Sequence, residues 1–147
     1  YNDDAVATSQ TIDASGWLHT GDIGSMDSRG YLRVTGRLKD MIIRGGENLF
    51  PAEIENRLLE HSQIIEVAVL GVPDKKWGEV VVAFIRFSCE APKVDELVAF
   101  CRERLSPQKT PKYWVFLDEW PLTGSGKIQK FALRERFEAG DFAVVSR

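Results

Sequence analysis

The sequence predicts an α+β domain, a small sheet flanked by helices, and three observations carry that prediction. Residues 64–72 and 79–88 are two runs rich in Val, Ile and Phe, parted by Pro73-Asp74, as neighbouring strands would be. Val94, Leu97, Val98, Cys101 and Leu105 recur at helical spacing. Asn48 followed by Pro51 and Glu53 marks a helix start, with proline near the first turn and a carboxylate facing the positive end of the helix dipole.

Taken in order, residues 1–36 differ in texture from the rest. Gly16, Gly21, Gly24, Gly30 and Gly36 stand close together, so short strands and turns are expected. Asp27-Ser28-Arg29-Gly30 reads as a turn and Tyr31 to Thr35 alternates, which predicts a hairpin over 23–35 that cannot build a core alone. Residues 37–40 are polar and charged, 41–43 form a short apolar strand, and Gly45-Gly46 makes a turn. In the helix that follows, Ile54, Leu58 and His61 share a face. Beyond the two long strands and the 94–105 helix, Ser106-Pro107 stops the helix and 113–117 is a further strand. Residues 122–126 are a flexible loop and 131–137 a final short helix. The expected order over 41–137 is therefore strand, helix, strand, strand, helix, strand, helix, with helices packed on the sheet.

Composition narrows the functional classes. The chain has 147 residues, 44% hydrophobic and 10% aromatic, as a packed globular domain requires and a disordered chain lacks. Its longest strictly apolar run, 80–85, is far short of the ~20 residues of a membrane-spanning helix. No basic segment followed by an apolar one opens the chain, so a cytoplasmic protein without a leader is expected. The net charge of −3 argues against a nucleic-acid partner, yet the charges are segregated. Residues 29–50 carry five basic and two acidic side chains, and 102–136 carry eight and four. Two basic stretches in an acidic protein suit a phosphorylated small molecule, although solvated faces would look the same. Cys89 and Cys101 are not a CxxC pair and read as buried thiols; with only His19 and His61, no metal site is expected.

Three motifs exceed background. Leu122-Thr123-Gly124-Ser125-Gly126-Lys127 is a glycine-rich loop ending in a lysine, whose ammonium can follow charge developing on phosphate. It is no phosphate-binding P-loop, because Pro121 stands where that motif needs glycine and Ile128 where it needs Ser or Thr. Taken alone, the hexapeptide reads better as an exposed turn capped by a solvated lysine. Gly36-Arg37-Leu38-Lys39-Asp40 joins the two textures, either as a hinge or as an ordinary charged loop. Gly45-Gly46-Glu47-Asn48 is either a tight turn into a helix or bare backbone for a ligand to slide across.

The order of these motifs is the specific signal. Thr20-Gly21-Asp22, Gly36-Arg37-x-Lys39-Asp40, Gly45-Gly46-Glu47-Asn48-x-x-Pro51-x-Glu53-Ile54-Glu55, Gly71-Val72-Pro73-Asp74 with Trp77-Gly78-Glu79, and Gly126-Lys127-Ile128 follow one another along residues 16–137. This series resembles the C-terminal end of the AMP-forming acyl-CoA synthetases, relatives of peptide-synthetase adenylation domains and luciferases. The resemblance implies a ligase in which a carboxylic acid attacks ATP with Mg2+ to form an acyl-adenylate, which coenzyme A then captures. By similarity, Lys127 is the catalytic lysine, Asp22 and Arg37 hold the ribose of ATP or AMP, and Lys39 is the hinge residue. Gly45, Gly46 and Trp77 would line the pantetheine channel of CoA, with Arg44, Lys75 and Lys76 near its phosphates. Trp77 as an aromatic covering the sheet edge is as good a reading.

The same resemblance divides the chain into a terminal β segment of a large N-terminal domain (1–36), a hinge (37–40) and a C-terminal lid domain (41–147). The Ser/Thr/Gly-rich loop that holds the ATP phosphates is not in the sequence, so the chain alone is expected to be inactive. Its partners would be that large domain and a carboxylic acid, fatty or aryl, with no nucleic acid and no transmembrane segment. An adenylation domain that loads a carrier protein, or a non-catalytic interaction module with the same fold, are the alternatives.

Overall fold

In a computed structural model, residues 3–146 are described, and they divide into two compact units between Lys39 and Asp40. In the first, a short helix α1 (Ala5–Thr11) is capped by the Asp4 carboxylate, which accepts from the Ala7 amide at 2.8 Å. The sequence reading expected only strands and turns there; Asp4 supplies a capping signal that the glycine texture obscured. β1 (Asp22–Met26) and β2 (Leu32–Arg37) then form the expected hairpin, with a bulge between Ile23 and Gly24. None of this unit's described residues is buried, and Met26, Tyr31, Leu32 and Val34 are exposed along the hairpin. A two-stranded hairpin has no second layer to bury them.

The second unit is the predicted α+β sandwich. Its elements are β3 (Ile42–Arg44), β4 (Glu47–Leu49), α2 (Pro51–Leu59), β5 (Ile64–Asp74), β6 (Gly78–Phe87), α3 (Val94–Arg102), β7 (Tyr113–Phe116), α4 (Lys130–Ala139) and β8 (Val144–Ser146). Strand β6 is central. β5 runs antiparallel to it along its length, while its other edge takes β7 in parallel at Val82–Ile85 and β3 at Gly78. β4 extends the sheet beyond β3, and β8 beyond β7.

Both faces of the sheet are covered. Val67 and Val69 of β5 with Val81, Ala83 and Ile85 of β6 pack under Ile54 and Leu58 of α2 and Leu97, Val98 and Cys101 of α3. The alternate residues Ala68, Leu70, Val72, Val80, Val82 and Phe84 pack under Leu133 of α4. That is why 80–85 is uninterruptedly apolar: each side chain, up or down, enters a core. Gly71 is the small residue that lets the layers close, since a Cβ there would lie 3.0 Å from Ile42 Cγ2.

Several local expectations are corrected. Asn48 belongs to β4 rather than to a helix start; the N-cap is Phe50, with Pro51 in the first turn. The α3 helix stops at Arg102, and Leu105 is buried just beyond it. Cys89 is exposed in the turn after β6, so only Cys101 is the buried thiol expected; burial pushes it up to about 11, with Arg57 pulling weakly the other way. Strand β8 has no period strong enough to read in three residues; β7 supplies its pairing partner.

Candidate functional site

The site residues fall into three groups. In the first unit, the register of the β1–β2 hairpin sets Asp22 opposite Arg37, and Arg37 Nε donates to Asp22 Oδ1 at 3.1 Å. The guanidinium orients the carboxylate, while Asp22 Oδ2 and the Arg37 terminal nitrogens make no further hydrogen bond among the described residues. An ionised carboxylate beside a donor fork is a fitting receptor for vicinal hydroxyls, which donate to one and accept from the other. The Leu38 amide donates to the Gly21 carbonyl at 2.8 Å, tying the strand end to the turn before Asp22. Lys39 is the middle residue of the single 3-10 turn Leu38–Asp40 and the last of the first unit.

The second group surrounds Trp77. Asp74 ends β5, and its Oδ1 accepts from the amides of Lys76 (2.9 Å) and Trp77 (3.0 Å), a side-chain turn that lets the strand reverse within three residues. Gly78, at φ +78°, completes the reversal. Lys112 Nζ lies 2.7 Å from Asp74 Oδ2; with the two amides it holds the Asp74 carboxyl down at about 2, and the Lys112 ammonium is raised in return. The turn presents Trp77 to Gly45, whose amide donates to the Trp77 carbonyl at 2.8 Å. Gly45 sits at φ +58°, and a Cβ there would lie 2.9 Å from Trp77 Cε3. Gly46, at φ +86°, has open space where its Cβ would be.

Beside this contact is a concavity of about 330 Å³ lined by Arg44, Gly45, Glu47, Trp77, Arg102 and Gln108. Arg44 lies with its guanidinium 5.8 Å from the Trp77 ring and bonds the Gln108 carbonyl, so a fixed cation and an aromatic face meet at its mouth. Arg102 and Gln108 are the residues that sequence reasoning missed. Both lie more than 20 positions from Trp77 in the chain, and no local motif marks them. Lys75 is not among the lining residues, and Lys76 instead places its ammonium 4.8 Å from the Trp77 ring.

The third group is the loop bearing Lys127. It is not the flexible loop expected from its glycines. Leu122 and Ile128 pair as an isolated bridge, the Thr123 amide donates to the Lys127 carbonyl (2.8 Å), and the Lys127 amide donates to Thr123 Oγ1 (3.0 Å). Gln129 closes the base, donating from its amide to Pro121 O (2.8 Å) and from Nε2 to Leu122 O (2.9 Å). Gly126 at φ +78° makes the tight return possible. The Lys127 side chain is exposed and free of ion pairs among the described residues, so a hydrogen-bonded hairpin offers its ammonium outward.

The sequence pattern of the AMP-binding enzyme C-terminal domain family matches residues 53–127, just over half of the chain and all of the sheet's two long strands. The chain belongs to that family. As an AMP-binding enzyme C-terminal domain it is similar to the medium-chain acyl-CoA ligase ACSF2 of Mus musculus, a mitochondrial protein, with 49% identity over 89% of this chain and 22% of that one. Among solved structures, a Mycobacterium tuberculosis fatty acyl CoA synthetase aligns with a TM-score of 0.73 and 44% identity, covering 92% of this chain and 27% of that one. The o-succinylbenzoate CoA synthetase of Bacillus subtilis, solved with its acyl-adenylate intermediate, aligns with a TM-score of 0.82 and 38% identity over 92% and 27%. The chain thus spans roughly a quarter of the length of the curated relatives it matches. No helix among the described residues is long and apolar enough to cross a membrane.

Proposed function

We propose that this chain is the C-terminal part of an ATP-dependent carboxylic acid:CoA ligase that makes an acyl-adenylate and then an acyl-CoA thioester by alternating the position of its lid domain. The observation that carries the reading is the Lys127 hairpin: a family-matched lysine held outward on a hydrogen-bonded turn with no partner for its charge among the described residues. In the first half-reaction the acid's carboxylate oxygen attacks the α-phosphorus of ATP and pyrophosphate leaves. Negative charge gathers on the phosphoryl oxygens, and a preorganised ammonium stabilises it without reorganisation. Asp22 would accept the ribose hydroxyls and Arg37 would orient that carboxylate.

In the second half-reaction the lid turns about Lys39 and withdraws Lys127. The bare backbone of Gly45 and Gly46 would then form one wall for the pantetheine arm and the Trp77 face another, with Arg44 and Arg102 near the phosphates. Mg2+ belongs to the complete reaction, but the described residues hold no group of three or more His, Cys, Asp or Glu suited to a metal. Residues 1–36 are read as the last strands of a large N-terminal domain that supplies the acid pocket, 37–40 as the hinge and 41–147 as the lid. The relatives' names favour a fatty or aryl acid. Two free thiols suit a reducing compartment such as the cytoplasm, although the ACSF2 relatives are named mitochondrial.

The test is ATP–pyrophosphate exchange and thioester formation by the full-length protein, with CoA and with a holo-carrier protein as acceptors. Lys127→Ala should lower adenylation by about 100- to 1000-fold, while capture of supplied acyl-adenylate by CoA survives. Full adenylation in Lys127→Ala would point to a non-catalytic module, and transfer to the carrier alone would change the acceptor. Exchange by the isolated chain at enzyme-like rates would overturn the division of the site between two domains.

A further inference from the structure

The open edge of β5 carries a second set of contacts that no motif describes. Among the described residues β5 pairs with β6 alone, so its outer edge presents backbone groups without a strand partner between α2 on one face and α4 on the other. The Glu55 carboxylate of α2 closes this gap. Its Oε1 accepts from the Val69 amide on the strand edge at 2.8 Å and from Lys130 Nζ, at the first residue of α4, at 2.7 Å. Further along the same strand, Glu66 Oε2 accepts from Trp120 Nε1 at 2.5 Å and lies 2.8 Å from Arg86 Nε. Trp120 immediately precedes the Lys127 hairpin and Lys130 immediately follows Gln129, which closes it. Both flanks of one turn are therefore tied by carboxylates to β5, one through Glu55 at the strand's edge and one through Glu66 on the face that α4 covers. Glu55 and Lys130 are mostly buried, with side chains 19% and 29% exposed, so the tie is screened less than a surface pair.

We infer that Glu55 and Glu66 are positioning residues that anchor the two flanks of the Lys127 hairpin to β5 and so set the reach of the Lys127 ammonium. The inference rests on the ligase reading for its consequence, although the clasp itself does not. The internal bonds of the hairpin keep its shape, while the Glu55–Lys130 and Glu66–Trp120 contacts, with the packing of Trp120 and Ile128 on the α4 side, hold its two flanks against the sheet. A displacement of about 1 Å at a reacting group can cost up to ~100-fold in rate. Loosening two anchors while the packing remains should cost a part of that.

The experiment uses the full-length protein with Lys130→Met, Trp120→Phe, both together, and Lys130→Arg. Trp120→Phe keeps an aromatic ring, though a smaller one, and removes the donor; Lys130→Met keeps the stem and removes the charge. In the double variant, ATP–pyrophosphate exchange should fall by about 10-fold, chiefly in kcat, while CoA capture of supplied acyl-adenylate stays at the parent rate. Lys130→Arg should restore most of the loss. Hydrogen exchange at the Thr123 and Gln129 amides should quicken in the double variant. Equal losses in both half-reactions would make the contacts merely structural, and parent exchange kinetics in the double variant would overturn the inference. A parent protein that forms no acyl-adenylate would instead refute the ligase reading; unaltered protection of the two amides would then overturn the clasp, and faster exchange would uphold it.

Discussion

Replacing Gly45 with alanine separates backbone strain from contact with Trp77, because its neighbour Gly46 serves as an internal control. Both glycines adopt positive φ, +58° and +86°, where an L side chain costs about 1–2 kcal/mol. Only at Gly45 would the new methyl meet anything: Trp77 Cε3 at 2.9 Å and Cζ3 at 3.3 Å, inside the ~3.5–4.0 Å optimum for carbon atoms. The Trp77 backbone is held in place, its amide bonded to Asp74 and its carbonyl to the Gly45 amide, so the ring must turn away from its contact with Gly45 to relieve the overlap. Overpacking of this kind typically adds about 1–3 kcal/mol. Gly46→Ala should therefore lose about 1–2 kcal/mol in chemical denaturation, and Gly45→Ala should lose more by roughly a further 1 kcal/mol. Gly45→Ala should also raise the KM for CoA in the full-length protein more than Gly46→Ala does, since the displaced ring borders the concavity. If the two variants match in both stability and KM, the contact between Gly45 and Trp77 has no energetic consequence and the reasoning fails.

Two further outcomes follow from ionic contacts. Asp74 is held at about 2 when folded against 3.8 when free, so the unfolded chain binds more protons at low pH; its contribution is present above about pH 4 and lost as pH falls towards 2. Stability plotted against pH should flatten between those values in Asp74→Asn, and an unchanged acid limb would show that the Lys112 contact does not form in solution. Arg57, only 5% exposed, donates to the Phe100 carbonyl and reaches Glu60 and Glu103 at 2.6 Å each, bracing α2 against α3. Arg57→Ala should destabilise by about 1–3 kcal/mol, mainly through the orphaned carbonyl, because both glutamates are exposed enough to be solvated. A thermal midpoint equal to the parent's would count against it.

How far the sequence could be read depended on the length scale of each signal. The long strands β5 and β6 and the helix α3 were legible because their periods repeat many times and two-sided burial leaves a continuous apolar run. The short elements α1, β4 and β8 were not: a few residues carry too little periodicity, and β4 and β8 exist because a neighbouring strand offers its edge. Lys127 was legible as a residue, and its setting was misread. Glycines at 124 and 126 promise freedom, whereas Thr123 and Gln129 spend their bonding groups on closing the turn.

By itself, then, the sequence determined the α+β class, the family, and the residue types available for phosphate and hydroxyl recognition, since composition, period and motif order are properties of neighbours along the chain. Tertiary structure alone decided what meets what. Asp22 lies opposite Arg37 through a strand register, Trp77 against Gly45 through a turn braced by a distant lysine, and the flanks of the Lys127 hairpin against Glu55 of α2 and Glu66 of β5. Those contacts join residues 15 to 75 positions apart. No local pattern encodes them, because each needs strands or helices far apart in the chain to be brought side by side.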